Sequence, residues 1–224
     1  MTALQQLLQN FRTAAVSERE KGTYFEELTV HYLRHEAAYD ALYSDVWSYA
    51  AWAKQNGLGG KDAGIDLVAR TRGTGELHAI QCKFYDQDYR LEKKDIDSFF
   101  TASGKKSFSR RIIVSTTNHW TEHAENALRD QQPPVSKIDL FDLENSQIDW
   151  ARFQPKQAPV LKPKKKLREH QESALAAVRA GLQEHERGKL IMACGTGKTF
   201  TSLKIAEAVG GAGKRVLFLV PSLS

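Results

Sequence analysis

A short segment rich in lysine and proline most constrains how this chain can fold. Residues 155–166 hold three of the six prolines of the 224-residue sequence, together with five lysines. Proline removes a backbone hydrogen-bond donor and neighbouring lysines repel one another, so neither a helix nor a central strand is expected there. We therefore predict a linker at 155–166 that separates two domains, residues 1–154 and residues 167–224.

The net charge of the chain also changes at this linker. Residues 1–154 contain 19 Lys and Arg against 22 Asp and Glu, whereas residues 155–224 contain 13 against 5. The formal charge of +5 is therefore the sum of a slightly acidic first domain and a basic remainder. Two interpretations of the lysine run stay open: a solvated linker, or contact with the phosphates of a nucleic acid.

The composition is that of a globular protein rather than a membrane protein. Charged residues make up 26% of the chain, the mean hydropathy is −0.49, and no apolar run approaches the roughly 20 residues of a membrane helix. The N-terminus lacks the basic and apolar segments of a signal peptide, and the only cysteines are Cys82 and Cys194. We therefore expect a cytoplasmic protein with no membrane partner and no disulfide framework.

The apolar periodicity of the first domain predicts a mixed α/β fold, with one sheet covered by helices. The expected helices are 2–16, a second helix that begins after Ser17, 93–105 and 120–130, and the expected strands are 64–71, 77–84, 111–116 and 137–143. Ser17 followed three residues later by Glu20 is typical of a helix N-terminus. Residues 72–75 (RGTG) predict a turn, so the first two strands should form a hairpin.

Three polar residues lie on the two strands of this predicted hairpin. Asp66 lies near the start of the first strand, and Gln81 and Lys83 lie on the second. Since side chains alternate along a strand, Gln81 and Lys83 share one face, and the hairpin can bring that face against Asp66. A carboxylate and an amide oxygen suit a hard cation such as Mg²⁺, which activates water, while a lysine stabilises developing negative charge. The cluster predicts hydrolysis of a phosphodiester.

These residues resemble the PD-(D/E)xK nuclease superfamily, and in particular its Mrr-type restriction branch. The resemblance covers about residues 18–145, and it rests on Gly64-Ile65-Asp66, on Gln81-Cys82-Lys83 and on the strand-to-helix segment from Ile112 to Glu125. The Mrr-type branch has glutamine where most of the superfamily has an acidic residue, and Gln81 follows that pattern. The resemblance implies a restriction-endonuclease-like mixed sheet flanked by helices.

The resemblance also implies roles for individual residues. The implied catalytic residues are Asp66, Gln81, Lys83 and Glu26. The implied ligands of a Mg²⁺ ion are Asp66, the Gln81 side chain and the Cys82 carbonyl oxygen. Asp62 is an alternative acid, because it lies close to Asp66 in the sequence.

The second domain contains a glycine loop between a predicted strand and a predicted helix. The strand is expected at Lys189–Ala193, and the loop that follows reads CGTGKT. Such a loop wraps phosphate oxygens with its backbone N–H groups, while its lysine reaches the β- and γ-phosphates and its threonine ligates Mg²⁺. Met192 stands where the strict pattern has its first glycine. The predicted nucleotide-binding residues of the loop are Gly195, Thr196, Gly197, Lys198 and Thr199.

This domain resembles the start of a superfamily 2 helicase motor, most like the motors of restriction enzymes. Gln171 lies where that family has its adenine-reading glutamine, and Arg215–Pro221 resembles the strand that leads to motif Ia. The sequence contains no Asp-Glu pair of a Walker B box. We therefore expect an incomplete RecA-like P-loop lobe, truncated at 167–224, that hydrolyses ATP only within a longer protein.

A nuclease joined to such a motor resembles the single-chain Type ISP restriction–modification enzymes. The resemblance implies the Mg²⁺-dependent endonuclease module of an ATP-dependent restriction enzyme that acts on double-stranded DNA. It also implies further helicase, methyltransferase and target-recognition domains in the same polypeptide. Two alternatives stay open here: a non-cleaving DNA-binding module of a helicase, or a repair or defence nuclease-helicase without a methyltransferase.

Overall fold

The chain forms two compact units. The computed structural model describes residues 1–58, 64–104, 107–155, 157–163, 165–193, 195–211 and 214–219. The first unit is Met1–Lys162 and the second is Pro163–Ser224. The boundary between the two units falls within the segment 155–166, which the sequence predicts to be a linker.

A five-stranded mixed sheet organises the first unit. Its strands follow one another across the sheet in chain order: β1 Tyr43–Ser48, β2 Leu67–Thr71, β3 Leu77–Lys83, β4 Arg110–Ser115 and β5 Val135–Ile138. β1, β2 and β3 pair in antiparallel fashion, whereas β3, β4 and β5 run parallel. The predicted hairpin is confirmed as β2–β3, and the carboxyl ends of β3, β4 and β5 meet at one edge of the sheet.

Helices surround this sheet. Those described in the first unit are α1 Ala3–Ala14, α2 Glu18–His35, α3 Ala37–Leu42, α4 Tyr49–Gln55, α5 Asp97–Ser103, α6 Glu122–Leu128 and α7 Leu140–Glu144, with 3-10 turns at Lys93–Asp95 and Trp150–Arg152. α1 and α2 begin close to where the sequence predicts. The hydroxyls of Thr2 and Ser17 each accept a hydrogen bond from a backbone N–H of the following turn, which stabilises the start of the helix.

Two apolar cores lie on opposite faces of the sheet. Ile112 belongs to the first core and its neighbour Ile113 to the second, because successive side chains of β4 point to opposite faces. The first core takes helical side chains from α1, α2 and α7, and the second takes them from α4, α5 and α6. β4 is thus buried on both faces between β3 and β5, as its continuous apolar run predicts.

The strand predicted at 137–143 is confirmed only at its first two residues and is wrong beyond them. β5 ends at Ile138, and α7 begins at Leu140. The cause is a capping box, in which the Asp142 carboxylate accepts the backbone N–H of Asp139 at 2.9 Å and the Asp139 side chain accepts a backbone N–H in return. This pair stabilises a helix start where apolar residues alone favour a strand.

The helix predicted at 93–105 is divided into two pieces. A 3-10 turn at Lys93–Asp95 comes first, and α5 follows and ends at Ser103. Lys105 lies outside the described residues. The Asp95 carboxylate accepts the Glu92 backbone N–H at 2.8 Å, which caps the 3-10 turn before the α-helix begins.

The periodicity of the sequence does not reveal β1 or α4. The buried residues of β1 include Tyr43 and Val46, which are three apart, because the register with β2 shifts between Tyr43 and Asp45. Such an irregularity removes the alternation by which a strand is recognised. α4 buries only Trp52 and Ala53, so it is too short to show a helical apolar stripe.

The second unit contains two helices among its described residues, α8 Glu169–Glu184 and α9 Lys198–Gly210. The strand predicted at Lys189–Ala193 is not found, because no neighbouring segment in the described part of this unit supplies the ladder that defines a strand. The same holds for residues 215–219, and the last two residues of Arg215–Pro221 lie outside the described part. No described helix of either unit is long and apolar enough to cross a membrane.

Part of the predicted linker folds against the first unit. Leu161 forms a β-bridge with Ile148, and the Asp149 N–H donates to the Val160 carbonyl at 2.8 Å. The Lys162 ammonium donates to the Ser146 carbonyl at 2.9 Å. These residues therefore close the first unit instead of running freely through solvent.

Candidate active site and phosphate-binding loop

A glycine turn delivers Asp66 to the start of β2. Gly64 has a φ of +80°, a left-handed conformation that glycine adopts without strain, and a Cβ there would meet the Ser98 carbonyl oxygen at 3.4 Å. Ile65 is buried in the second core and so fixes the next residue beside β3. The Asp66 carboxylate accepts the backbone N–H of Cys82 at 2.6 Å through Oδ2. Each residue of the Gly-Ile-Asp segment therefore has a structural role.

Gln81 is buried on β3 with its amide held in one orientation. The residue is 4% exposed, and its Nε2 donates to the Gly64 carbonyl at 3.1 Å. Its Oε1 is also buried, yet it accepts no hydrogen bond from any described residue. A buried carbonyl oxygen without a donor is energetically costly, and a cation bound to it would remove that cost. Gln81 thus has the property expected of a ligand.

Cys82 lies between these groups and contributes its backbone. Its side chain packs against the first core, and burial, followed by the charge of Asp66, raises the pKa of the thiol. The N–H and C=O of a strand residue point toward the same edge of the strand. The Cys82 carbonyl therefore faces the side of β3 on which Asp66 accepts the Cys82 N–H.

Glu26 approaches the same strand from α2. That helix packs against the sheet through Phe25 and Leu28, which are fully buried. The Glu26 carboxylate lies close enough to Cys82 to contribute to the raised pKa of its thiol. The role of Glu26 as a fourth site residue stays a prediction, and the alternative acid, Asp62, lies outside the described residues.

Lys83 ends β3 on the same face as Gln81. The register with β4 sets it opposite Ser115, and its side chain is half-buried. Burial lowers the pKa of the ammonium, and the nearby carboxylates of Asp66 and Asp95 oppose this shift. The structure therefore brings Asp66, Gln81 and Lys83 together as the sequence predicts.

Asp95 is a neighbour of Lys83 that the sequence analysis does not identify. It lies at the end of the 3-10 turn, where its Oδ2 accepts the Tyr89 hydroxyl at 3.0 Å and the Glu92 backbone N–H at 2.8 Å. The spacing of Glu92 and Asp95 is a capping signal that is visible in the sequence. That signal indicates a helix start, but only the path of the loop after β3 brings the Asp95 carboxylate near enough to affect the pKa of Lys83.

The groups around Gln81 fit a hard divalent cation. A carboxylate, an amide oxygen and a backbone carbonyl are all oxygen donors, which such cations prefer. Among the described residues, no three His, Cys, Asp or Glu side chains are grouped so that they could hold a metal ion. Of the described residues beside Gln81, Asp66 would offer such a cation a charged oxygen, and Gln81 and Cys82 uncharged ones.

The glycine loop of the second unit leads into α9 as predicted. Gly195 and Gly197 have φ values of +76° and +82°, and Gly197 is the N-cap residue of α9. A Cβ on Gly197 would lie 2.5 Å from Nε2 of Gln171. The backbone conformation therefore favours glycine at 197, and a side chain there would also displace the Gln171 amide. Cys194, at the start of the loop, lies outside the described residues.

The other predicted nucleotide-binding residues contact or adjoin this loop. Gln171 is 4% exposed, and its Nε2 donates to the Thr196 carbonyl at 3.0 Å. The Lys198 ammonium donates to the Ala193 carbonyl at 3.2 Å. Thr199 lies exposed in the first turn of α9. The predicted adenine-reading glutamine, lysine and threonine thus lie around one loop.

Known proteins match both units. Residues 34–160 match the Mrr-type catalytic family described as restriction endonuclease, and residues 164–224 match the family described as the res subunit of Type III restriction enzymes. A solved structure described as the ATP-dependent Type ISP restriction-modification enzyme LlaBIII bound to DNA is 38% identical, with a TM-score of 0.73. That match covers 94% of this chain but 13% of the solved chain. Among curated protein sequences, none matches.

Proposed function

The chain belongs to the Mrr-type family of restriction endonucleases, and on that premise we propose that its first unit is the DNA-cleaving module of an ATP-dependent restriction enzyme. The proposed class is Type ISP, since the similar solved enzyme is of that class and is described as bound to DNA. The proposed substrate is double-stranded DNA in the cytoplasm, and the reaction is hydrolysis of a phosphodiester bond with Mg²⁺.

One observation carries this proposal. The buried Oε1 of Gln81, which accepts no hydrogen bond from a described residue, lies on the strand beside the Asp66 carboxylate, and Lys83 follows on the same face. The Asp66 carboxylate and Gln81 Oε1 are two fixed oxygens that can hold a hard cation, and the Lys83 ammonium beside them can stabilise negative charge. Hydrolysis of a phosphodiester requires both functions. We propose that Asp66, Gln81 Oε1 and the Cys82 carbonyl hold this cation, with Glu26 as a fourth site residue.

The residues of the chain divide the work of the reaction. A divalent cation bound here supplies polarisation of a phosphoryl oxygen and lowers the pKa of a bound water. Asp66 and Gln81 keep their orientation through the Cys82 N–H and the Gly64 carbonyl, so they need no rearrangement during the reaction. The Lys83 ammonium orients the attacking water and stabilises the negative charge that develops on the phosphate.

Plasmid cleavage tests the proposal. We expect the chain to nick or cut supercoiled plasmid with Mg²⁺, and to lose this activity, but not its DNA binding, when a chelator is added. Asp66→Asn and Lys83→Ala should each lower the rate on the order of 100- to 1,000-fold, because each removes a group that acts on the reacting phosphate. Lys93→Ala is the matched control, since it removes an exposed lysine paired with Asp97.

The outcome can contradict the proposal directly. Cleavage at the wild-type rate by both Asp66→Asn and Lys83→Ala would show that this cluster does not cut DNA. An equal loss in Lys93→Ala would show that the effect is one of net charge alone. DNA binding that survives in the chelator while cleavage is lost separates a nuclease from a non-cleaving binding module.

We also propose that the second unit binds the phosphates of ATP as the first part of a DNA translocase. The loop residues Gly195–Thr199, with Gln171, are the proposed contacts, and Mg²⁺ is the proposed companion ion. We expect Lys198→Ala to weaken binding of a fluorescent ATP analogue about 10- to 100-fold, as for loss of a charge-assisted hydrogen bond. Lys204→Ala, on the same helix, should leave the affinity unchanged, and equal losses in both variants would contradict the assignment.

Further parts of the longer enzyme follow from the same premise. The match covers 13% of the solved Type ISP chain. We therefore propose that this chain belongs to a longer polypeptide with further helicase, methyltransferase and target-recognition domains. None of the matches favours a helicase with a non-cleaving module or a repair nuclease-helicase.

A further inference from the structure

The chain leaves the sheet directly after Lys83. Lys83 is the last residue of β3, where it pairs with Ser115, and its carbonyl accepts the Thr116 N–H at 3.1 Å. The end of a strand opens more readily than its middle unless other contacts hold the chain beyond the last pair. The position of Lys83 therefore depends on what contacts the residues that follow it, 84–86.

An arginine of the N-terminal helix contacts all three of these residues. The Arg12 guanidinium donates through Nη2 to the Tyr85 carbonyl at 2.6 Å, and its Nε lies 3.2 Å from the Asp86 carboxylate. Its central carbon also lies 4.9 Å from the centre of the Phe84 ring, which makes a cation–π contact. One planar guanidinium thus holds a ring, a backbone carbonyl and a carboxylate at consecutive positions, and the single ammonium of a lysine lacks the rigid fork for this.

The helix α1 fixes Arg12 against the first core. Leu8 and Phe11 of the same helix are buried there, and the ring of Phe11 packs on that of Tyr24 with centroids 5.3 Å apart. The Arg12 side chain itself is largely buried. A long side chain loses most of its rotamer freedom on burial, so Arg12 is already ordered before DNA binds.

Thr116 holds the same backbone segment from the end of β4. Its hydroxyl accepts the Tyr85 N–H at 2.9 Å and lies 2.6 Å from the Tyr85 carbonyl, to which it can donate. The Tyr85 carbonyl is therefore contacted by one donor from α1 and by one from the chain just beyond β4. Together, Arg12 and Thr116 fix the backbone two residues after Lys83.

We propose that Arg12 is a positioning residue for the nuclease site: by clamping residues 84–86, it holds the end of β3 so that the Lys83 ammonium meets the scissile phosphate. This inference rests on the proposed function, which gives Lys83 its role. Arg12 acts through the backbone and contacts neither the DNA nor the cation. The match to the restriction endonuclease family begins at residue 34, so it assigns no role to α1.

Cleavage kinetics test the clamp. In single-turnover plasmid cleavage with Mg²⁺, Arg12→Ala should lower the rate constant on the order of 10- to 100-fold, because a small displacement of Lys83 misplaces its ammonium. The DNA and Mg²⁺ concentrations for half-maximal rate should stay within about twofold, since Arg12 binds neither. Arg12→Lys keeps the charge over Phe84 and should recover part of the rate. Asp86→Asn should lose less than about threefold, because that carboxylate is exposed.

Two control variants separate the clamp from net charge and from helix stability. Arg19→Ala removes an exposed arginine from the first turn of α2, so it changes the net charge equally. Thr2→Ala removes the N-cap of α1 and its hydrogen bond to Glu144 at 2.8 Å, so it weakens this helix at the end remote from Arg12. Both should cleave within about twofold of the wild-type rate. A loss in either control that equals the loss in Arg12→Ala would overturn the proposal.

Amide hydrogen exchange tests the clamp without cleavage. The Tyr85 N–H, which donates to Thr116, should exchange about 10-fold faster in Arg12→Ala, as for loss of a charge-assisted hydrogen bond. The N–H of Ile113, a fully buried residue of β4, reports unfolding of the whole sheet and should change less. Wild-type exchange at Tyr85, or an acceleration that Ile113 shares equally, would contradict the clamp.

The proposed function and the clamp fail in different ways. If Lys83→Ala cleaves like the wild type, the proposed function is wrong. If Lys83→Ala is inactive while Arg12→Ala is fully active, only the clamp is wrong.

Discussion

The two units of this chain build their candidate sites by different means. In the first unit, Asp66 immediately precedes β2 and Gln81 lies on β3, and each is held by a hydrogen bond between groups 16 or 17 residues apart in the chain. In the second unit, the loop residues 195–199 are consecutive and lead directly into α9. The first site therefore depends on the register of a sheet, whereas the second depends on the local path of the backbone.

The two units also differ in how much of their side-chain surface is buried. The first unit has two apolar cores, whereas only Gln171 and Thr201 are buried among the described residues of the second. Large apolar side chains of the second unit stay open to solvent, with Ile191 and Leu217 exposed at 90% and 82%. In this chain, the phosphate loop therefore has little apolar burial around it, whereas the cluster around Gln81 lies on a sheet with an apolar core on each face.

A matched pair of leucine substitutions tests this difference most strongly. Leu33→Ala removes a fully buried side chain of the first core and should lower the free energy of unfolding by about 2–5 kcal/mol. Urea unfolding followed by tryptophan fluorescence measures it, because all four tryptophans of the chain lie in the first unit. Leu203→Ala, at a position on α9 that is 46% exposed, should change the free energy of opening of α9 by less than about 0.5 kcal/mol, as measured by amide hydrogen exchange. Equal effects would contradict the difference in packing.

A pair of glycine substitutions tests the local character of the second site. Gly195→Ala and Gly197→Ala each place alanine in a left-handed backbone conformation, which should lower the stability of the loop by about 1–2 kcal/mol. Gly197→Ala must also displace Gln171, so it should cost about 1 kcal/mol more through the lost hydrogen bond to Thr196. Amide hydrogen exchange of α9 measures both. If Gly195→Ala is the more damaging, the close approach of Gln171 does not shape this loop.

The pH dependence of the first unit should reveal its buried histidine. His78 is 6% exposed, its Nδ1 lies 2.8 Å from the Tyr43 hydroxyl, and burial, followed by Arg110, lowers its pKa. The unfolded chain then binds the proton more readily, so this contribution to stability is complete above pH ~6.5 and is lost as the pH falls toward the lower folded pKa. We expect unfolding curves from pH 8 to 5 to show this loss, and His78→Gln to flatten it. Exposed His123→Gln is the control, and an equal flattening there would refute the assignment to His78.

The smallest effect is expected at an ion pair on the surface of the second unit. Lys204 and Glu207 are three residues apart on α9, and Nζ lies 2.7 Å from Oε2. Glu207→Gln should change helix stability by less than about 0.5 kcal/mol, and 1 M salt should remove the difference. A larger loss, measured by hydrogen exchange of α9, would indicate that this helix depends on charge rather than on its glycine cap.

The elements of the first unit were predictable where local signals and apolar pattern agree. Helix α2 begins after Ser17 because a hydroxyl cap precedes an apolar stripe, and β4 is evident because its three consecutive β-branched apolar residues, Ile112, Ile113 and Val114, suit a buried strand. β1 was not predictable, since the irregular register at Asp45 hides its alternation. The strand predicted at 137–143 is wrong from residue 139 onward, because Asp139 and Asp142 start a helix that the apolar pattern does not indicate.

The sequence by itself determined which groups are chemically suited to the site. The spacing of Gln81 and Lys83 on one strand, the glycine before Asp66 and the consecutive residues of the phosphate loop all follow from local chain geometry. Only the tertiary structure decided that Gln81 Oε1 accepts no hydrogen bond from a described residue, that Cys82 orients Asp66, and that the Asp95 charge raises the pKa of Lys83 against the effect of burial. The physical reason is that these relations depend on sheet register and on the loop after β3, which are set by contacts between residues far apart in the chain.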